Sequence, residues 1–208
     1  ISIPDTLVKD QDRTARTHEA IARKLEQLPG VTAVGLTSAL AMEGFMSGDP
    51  IFVEDFPGPP GRIPPIRRYK YTDGSYLSVM GNRIVAGRPL TWNDSYTHQP
   101  VVVVSENLAR EYWSDPAKAI GRRVRNSPDS PWRTIVGVVG DEREDGLAQP
   151  APAMVYWPLV VEKLWSPDLR VQRTLTYVIR TERPQSPTLV REVQQAVWSV
   201  NGSLPVAN

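Results

Sequence analysis

The chain has 208 residues and a formal net charge of +1, with 40% hydrophobic and 23% charged residues. That is the balance of a folded domain, without the clustered basic excess that nucleic-acid binding requires. Cysteine is absent, which excludes disulfides, thiolate metal sites and cysteine nucleophiles, and histidine occurs only as His18 and His98, too few for a zinc hydrolase centre.

The opening Ile1-Ser2-Ile3-Pro4-Asp5 reads as the end of a strand followed by a turn. It has neither an initiator Met nor a signal peptide, so a piece of a larger protein is expected. A first helix follows over 13–28, capped by Asp10 or Asp12, with His18, Ile21, Ala22, Leu25 and Leu28 at helical spacing and Pro29-Gly30 as the stop. Strands are expected at 31–40, 51–54 and 66–71, the last two separated by the turn-rich run from Phe56 to Gly61. A helical turn at 76–80 ends at Gly81. The run 101–104 reads as a buried strand, far short of the roughly 18 residues a membrane span needs. Ser105 is placed to cap a helix over 106–113. Strands at 121–124 and 134–139 lead to a polar turn from Gly140 to Gly146. Further strands are expected at 154–157 and 175–180, joined by an exposed connection over 160–173. A helix over 187–200 carries Leu189, Val193, Ala196, Val197 and Val200 on one face. Residues 204–206 begin a final strand.

The two ends share one plan: strand, helix, turn, strand. Two such units can form a single sheet with both helices on one face, the split βαβ or ferredoxin-like arrangement. The expected fold is therefore α+β and two-lobed. Residues 1–72 and 153–208 form one lobe, and 73–152 form a second, inserted α+β lobe.

Six phrases carry a resemblance along nearly the whole chain. They are ISIPD, LEQLPGVTAVGLTSALAMEG, YTDGSYLSVMGNRIVAGRPLTWNDS, PVVVVSENLAREYWSDPAKAIGRRVR, PWRTIVGVVGDEREDGLAQPAPAMVYWPL and YVIRTERPQSPTLVREVQQAVWSVNGSLPV. In this order and spacing the chain resembles the periplasmic core domain of MacB-like ABC transporter permeases, within the FtsX-like permease superfamily. The departures are Asp73, where proline is expected, and the unaligned stretch 160–173. The resemblance implies a porter-like lobe with an insertion, lying outside the inner membrane between two transmembrane helices. It implies no cofactor in this domain, since ATP is hydrolysed by a separate cytoplasmic domain. The implied partners are the parent's transmembrane helices and ATPase domain, a second permease copy and a periplasmic protein. Residues 1 and 208 are expected to lie close together, facing the membrane.

The remaining constellations have plain readings. Asp141-Glu142-Arg143-Glu144-Asp145 lacks the spacing of a calcium loop and reads as a solvated turn. Gly137-Val138-Val139-Gly140 lacks the Lys-Ser/Thr of a phosphate loop and marks close packing and a strand exit. Ser105 has no nucleophile elbow. His18 lies on an apolar helix face and is expected to be packed. Arg123 and Arg125 share one strand face with Val124 opposite, a solvated face or a contact for an acidic partner or lipid headgroups. Trp92, Trp113 and Trp132 are expected in or beside the core, whereas Trp165, in an unpatterned connection, is a candidate partner contact. No nucleophile–base pair or metal set can be assembled, so a non-enzymatic domain is expected, and the resemblance implies the external domain of a permease. The alternative is a free-standing binding module for a small molecule or peptide.

Overall fold

In the computed structural model, residues 1–44 and 47–206 are described. Helix α1 spans Gln11–Glu26, and the Asp10 carboxylate accepts the Arg13 amide at 2.6 Å. That bond satisfies one of the orphan donors at the helix start. Its apolar face buries Ala15, Ile21, Ala22 and Leu25 together with His18. Gly30, at φ +76°, turns the chain into β1, Val31–Thr37. This strand pairs antiparallel with β12, Thr176–Thr181. Just before β12, Ile3 donates to the Arg173 carbonyl at 2.9 Å and Leu175 to that of Ile1 at 3.0 Å. The stretch 173–181 thus bonds to both opening segments of the chain, as a split βαβ unit requires. Helix α5, Leu189–Val200, packs beside α1. Residues 204–206 form no strand, although Leu204 is buried. Asn208 lies outside the described residues, so its expected nearness to Ile1 does too.

The second sheet has eight strands. Its order is β2 (Gly48–Pro50), β4 (Ile66–Tyr71), β9 (Met154–Trp157), β6 (Val101–Ser105), β8 (Arg133–Val139), β7 (Arg123–Arg125) and β3 (Phe52–Val53), with β5 (Ile84–Gly87) also on β8. The pairs β4/β9 and β6/β8 are parallel and the others antiparallel. Strands β2, β3, β4 and β9 lie outside 73–152, yet their hydrogen bonding runs without a break into β5 to β8. The division expected at that span therefore coincides with no gap in the sheet. Parallel partners such as β4 and β9 need a long crossover between them, and 73–152 supplies it.

Side chains alternate across this sheet. Val155, Trp157, Val102, Val104 and Ile135 enter a core shared with helix α4, Glu106–Tyr112, and with α1 and β1. Met154, Tyr156, Val101 and Val103 face helix α2, Tyr76–Met80. Helix α3, Trp92–Tyr96, starts with a Thr91–Asp94 capping box. The stretch 160–173 departs from expectation: β10 (Val160–Glu162) and β11 (Leu169–Val171) form a hairpin that buries Val160, Val161, Leu164 and Val171. Ser105 occupies the start of α4 but does not cap it. Its hydroxyl accepts the Met154 amide at 2.8 Å, and Asp141 accepts the Asn107 amide at 2.8 Å instead. Gly137 packs as expected, since a Cβ there would lie 2.1 Å from the Arg88 carbonyl oxygen.

The two sheets meet where β1 crosses α2. A Cβ on Gly35 would lie 2.5 Å from the Tyr76 Cα, so backbone touches backbone. Gly35→Ala is expected to cost about 2 kcal/mol or more by overpacking, measured by urea denaturation. On α1, His18 is fully buried, with Nδ1 2.7 Å from the Tyr177 hydroxyl, and burial lowers its pKa to about 3. Between about pH 3 and 6.5 the unfolded chain binds this proton and the folded chain does not. The stability His18 contributes is therefore full above the ordinary histidine value and is lost as pH falls, at up to about 1.4 kcal/mol per pH unit. His18→Gln is expected to flatten that acid slope by one proton in denaturation curves taken across the range. An unchanged slope would mean that His18 is protonated in the fold.

Candidate partner-contact surface

Strand β7 alternates as the sequence implies, with Arg123 exposed, Val124 buried and Arg125 half-buried. Neither arginine projects freely. Arg123 forms a two-pronged pair with Glu54, whose Oε2 accepts from Nε at 2.6 Å, and Arg122 reaches Asp55 at 3.2 Å. Both pairs are largely solvated, so each contributes little to stability. The Arg125 guanidinium lies 4.3 Å from the Trp132 ring centre and 5.8 Å from that of Phe52, and it donates to the Pro128 carbonyl at 2.6 Å. It is a packed cation on aromatic rings rather than part of a solvated basic face.

Trp165 lies in the turn between β10 and β11 and is 40% exposed. Its ring sits 5.2 Å from Tyr69 and 6.2 Å from Tyr71, with the Arg170 guanidinium 5.4 Å away. The indole N–H donates to Asp49 at 2.6 Å, and Asn126 donates to the same carboxylate oxygen at 3.3 Å and to the Leu164 carbonyl at 2.9 Å. Burial raises the Asp49 carboxyl pKa, and those two donors pull it back. The residue after Arg125 thus meets the Trp165 turn on one acid, which joins β2, β7 and the hairpin.

Two concavities flank this junction. One, of about 420 Å³, runs between 126–130 and 163–167. The other, of about 640 Å³, is walled by 51–65 together with Tyr112, Arg125 and Trp132. Phe56 and Ile63 stand exposed on its rim at 45% and 78%. Sequence reasoning missed the proline-lined groove, although Pro57, Pro59, Pro60, Pro64 and Pro65 all stand in it. In the sequence these prolines signal turns; in the fold their rigid rings form an apolar wall. Trp113, at 8% exposure, is in the core, and Trp92 and Trp132 are half-buried.

The packing of Trp165 changes how its role must be tested, because Trp165→Ala removes fold contacts as well as exposed surface. Trp165→Phe keeps most of the ring. It is expected to cost about 1 kcal/mol through loss of the bond to Asp49. A double-mutant cycle with Asp49→Ala, which removes the acceptor, is expected to show coupling of similar size, and zero coupling would mean the bond does not form in solution.

The surface here is built of aromatic rings, prolines and paired charges. Among the described residues no group of three or more His, Asp or Glu is placed to hold a metal, and no helix is long and apolar enough to cross a membrane. The periplasmic region of MacB from Actinobacillus actinomycetemcomitans has a similar fold, with TM-score 0.54, 16% identity, and 88% of this chain and 74% of that one covered. A domain of a putative permease protein from Porphyromonas gingivalis is comparable, at TM-score 0.52, 19% identity, and 86% and 68% covered. No curated protein sequence matches. The family described as MacB-like periplasmic core domain matches residues 4–197, and the chain belongs to that family.

Proposed function

We propose that this domain is a non-catalytic relay on the outer side of an ABC transporter permease. Movement of the transmembrane helices, driven by ATP in a cytoplasmic domain, would pass through it to an external partner or substrate. The observation that carries the reading is the family match over 4–197. Support comes from the backbone bonds between 1–3 and 173–175 and from α5 lying beside α1. A pull on either end of the chain loads the same stretch of strand. Hydrogen-bonded sheets packed edge to backbone move as rigid bodies, and hinge motions are transmitted in this way. In this reading the permease works as a pair of copies. Trp165, Arg125 and the proline-lined groove offer aromatic surface to a periplasmic partner, with Arg123 at its edge.

The chain has no cysteine, so the domain itself adds no background to cysteine-attached spin labels. Labels at the exposed positions Arg191 and Lys118 in the parent permease report both motions. The distance between the two labels within one copy is expected to stay fixed. The distance between Arg191 labels of the two copies is expected to change when ATP is bound with hydrolysis blocked. A fixed distance between copies would overturn the relay. A change within one copy on adding a small molecule, without nucleotide, would favour the binding-module alternative.

A further inference from the structure

The acidic run 141–145 is not the solvated turn that its composition suggests. Strict alternation turns Glu142 and Glu144 inward to 4% and 5% exposure, against Lys70 at 2%. They enter beneath the α2 face of the large sheet, away from the surface around Trp165. Lys70 Nζ lies 3.1 Å from Glu142 and 2.6 Å from Glu144. Tyr76 of α2 donates to Glu142 at 2.6 Å, and Tyr156 of β9 donates to it at 3.4 Å.

Two carboxylates here face one ammonium. The outward members of the run bring no further cation to the cluster. Asp141 accepts the Asn107 amide of α4, Arg143 donates to the carbonyls of Leu147 and Gln149, and Asp145 pairs with Arg68 of β4 at 2.7 Å. From the loop after β1, the Met42 amide bonds only the Glu144 backbone carbonyl, at 3.0 Å. Both tyrosine hydroxyls stay protonated, since burial and then Glu142 raise their pKa values. One buried negative charge is therefore in excess, and like charges held this close cannot both persist without a proton between them.

We propose that Glu142 and Glu144 share a single proton, and that its loss as pH rises towards neutrality loosens 140–146: the segment is a pH-sensitive latch. Glu142 accepts from three donors, Lys70, Tyr76 and Tyr156, whereas Glu144 meets Lys70 alone and holds the proton. Burial is the largest cause that lifts the Glu144 carboxyl to about 7. A cleft of about 220 Å³ lined by Met42, Met80, Asn82 and Glu142 adjoins the segment, so a loosened latch opens onto solvent.

The folded segment binds the proton more tightly than the opened one. The latch is therefore tightest below the ordinary glutamate value and weakens as pH rises through about 7. Amide exchange over 140–146, corrected for intrinsic rate, reads it directly. In the unaltered protein the opening constant is expected to rise by close to tenfold per pH unit between about pH 5 and 7, then level off. Asp73, lifted by burial to about 6, adds a similar trend to global stability, so the comparison must be made with a variant. Glu144→Gln mimics the protonated side chain and leaves Lys70 and Glu142 balanced, so it is expected to abolish the rise in opening. Should that variant fail to fold, Glu142→Gln tests the same charge count, and carbon-13 carboxyl spectra of the unaltered protein give a second readout. One glutamate carboxyl is expected to titrate near neutrality. A flat exchange profile, a rise that survives Glu144→Gln, or two carboxyls already ionised at about pH 5 would each overturn the proposal.

Discussion

Asp73 holds the two sheets to one another. Its Oδ1 accepts the Leu36 amide of β1 and the Tyr76 amide of α2, each at 2.9 Å, while it is 94% hidden from solvent. One buried carboxylate thus ties strand β1 of the small sheet to the helix that covers the large one. Burial lifts its pKa and the amide bonds oppose that rise, so the carboxyl rests at about 6. The Thr37–Thr72 bridge and the bond from Ser38 N to the Tyr71 carbonyl at 2.9 Å continue the same seam. Gly35 completes it from the other side, because only a residue without Cβ lets β1 approach Tyr76 so closely.

The seam places the chemistry that follows. Tyr76 is held by its amide on Asp73 and by its hydroxyl on Glu142. Glu142 is held in turn by Lys70 of β4. A path of direct polar contacts therefore runs from β1 through α2 to the 140–146 segment and back into the large sheet. Each contact is enclosed, where a hydrogen bond is stronger and an unmade one is more costly than in water. The relay proposed above would need such a path to be stiff. Apolar contacts alone are non-directional and permit sliding, whereas charge-assisted bonds fix register.

Much of this was legible beforehand, for identifiable reasons. The bounds of β9 follow from a short apolar run flanked by turn residues, and the place of α1 from its period and its aspartate cap, although it begins and ends two residues earlier than expected. The hairpin β10–β11 was hidden because Val160 and Val161 sit among Lys163, Asp168 and Arg170, and no Asn-Gly or Asp-Gly turn marks it. The inserted-lobe division failed to show in the hydrogen bonding because pairing between strands distant in sequence, such as β4 with β9, leaves no local trace. The Glu142–Glu144 pair is hidden by composition, because five consecutive charged residues imply a solvated turn. The period-two alternation that turns both inward was present in the sequence, and so was Lys70 in a strand otherwise bounded by tyrosines. Only the fold brings residues 70, 76, 142, 144 and 156 to one point.

Asp73 stands where the family pattern leads one to expect proline, and the structure gives that departure a physical meaning. Proline at this position would lose both side-chain bonds, and it would also lose the bond from the residue 73 amide to the Leu36 carbonyl at 3.1 Å. A proline stiffens the turn by fixing φ, which limits the approach of α2 without bonding to β1. The aspartate instead attaches the helix to the strand through three hydrogen bonds, at the cost of burying an ionisable group. In this chain the junction is therefore sensitive to protonation as well as to packing. Tyr76 contacts Glu142 next, so Asp73 and the Glu142–Glu144 pair lie on one continuous path between the sheets.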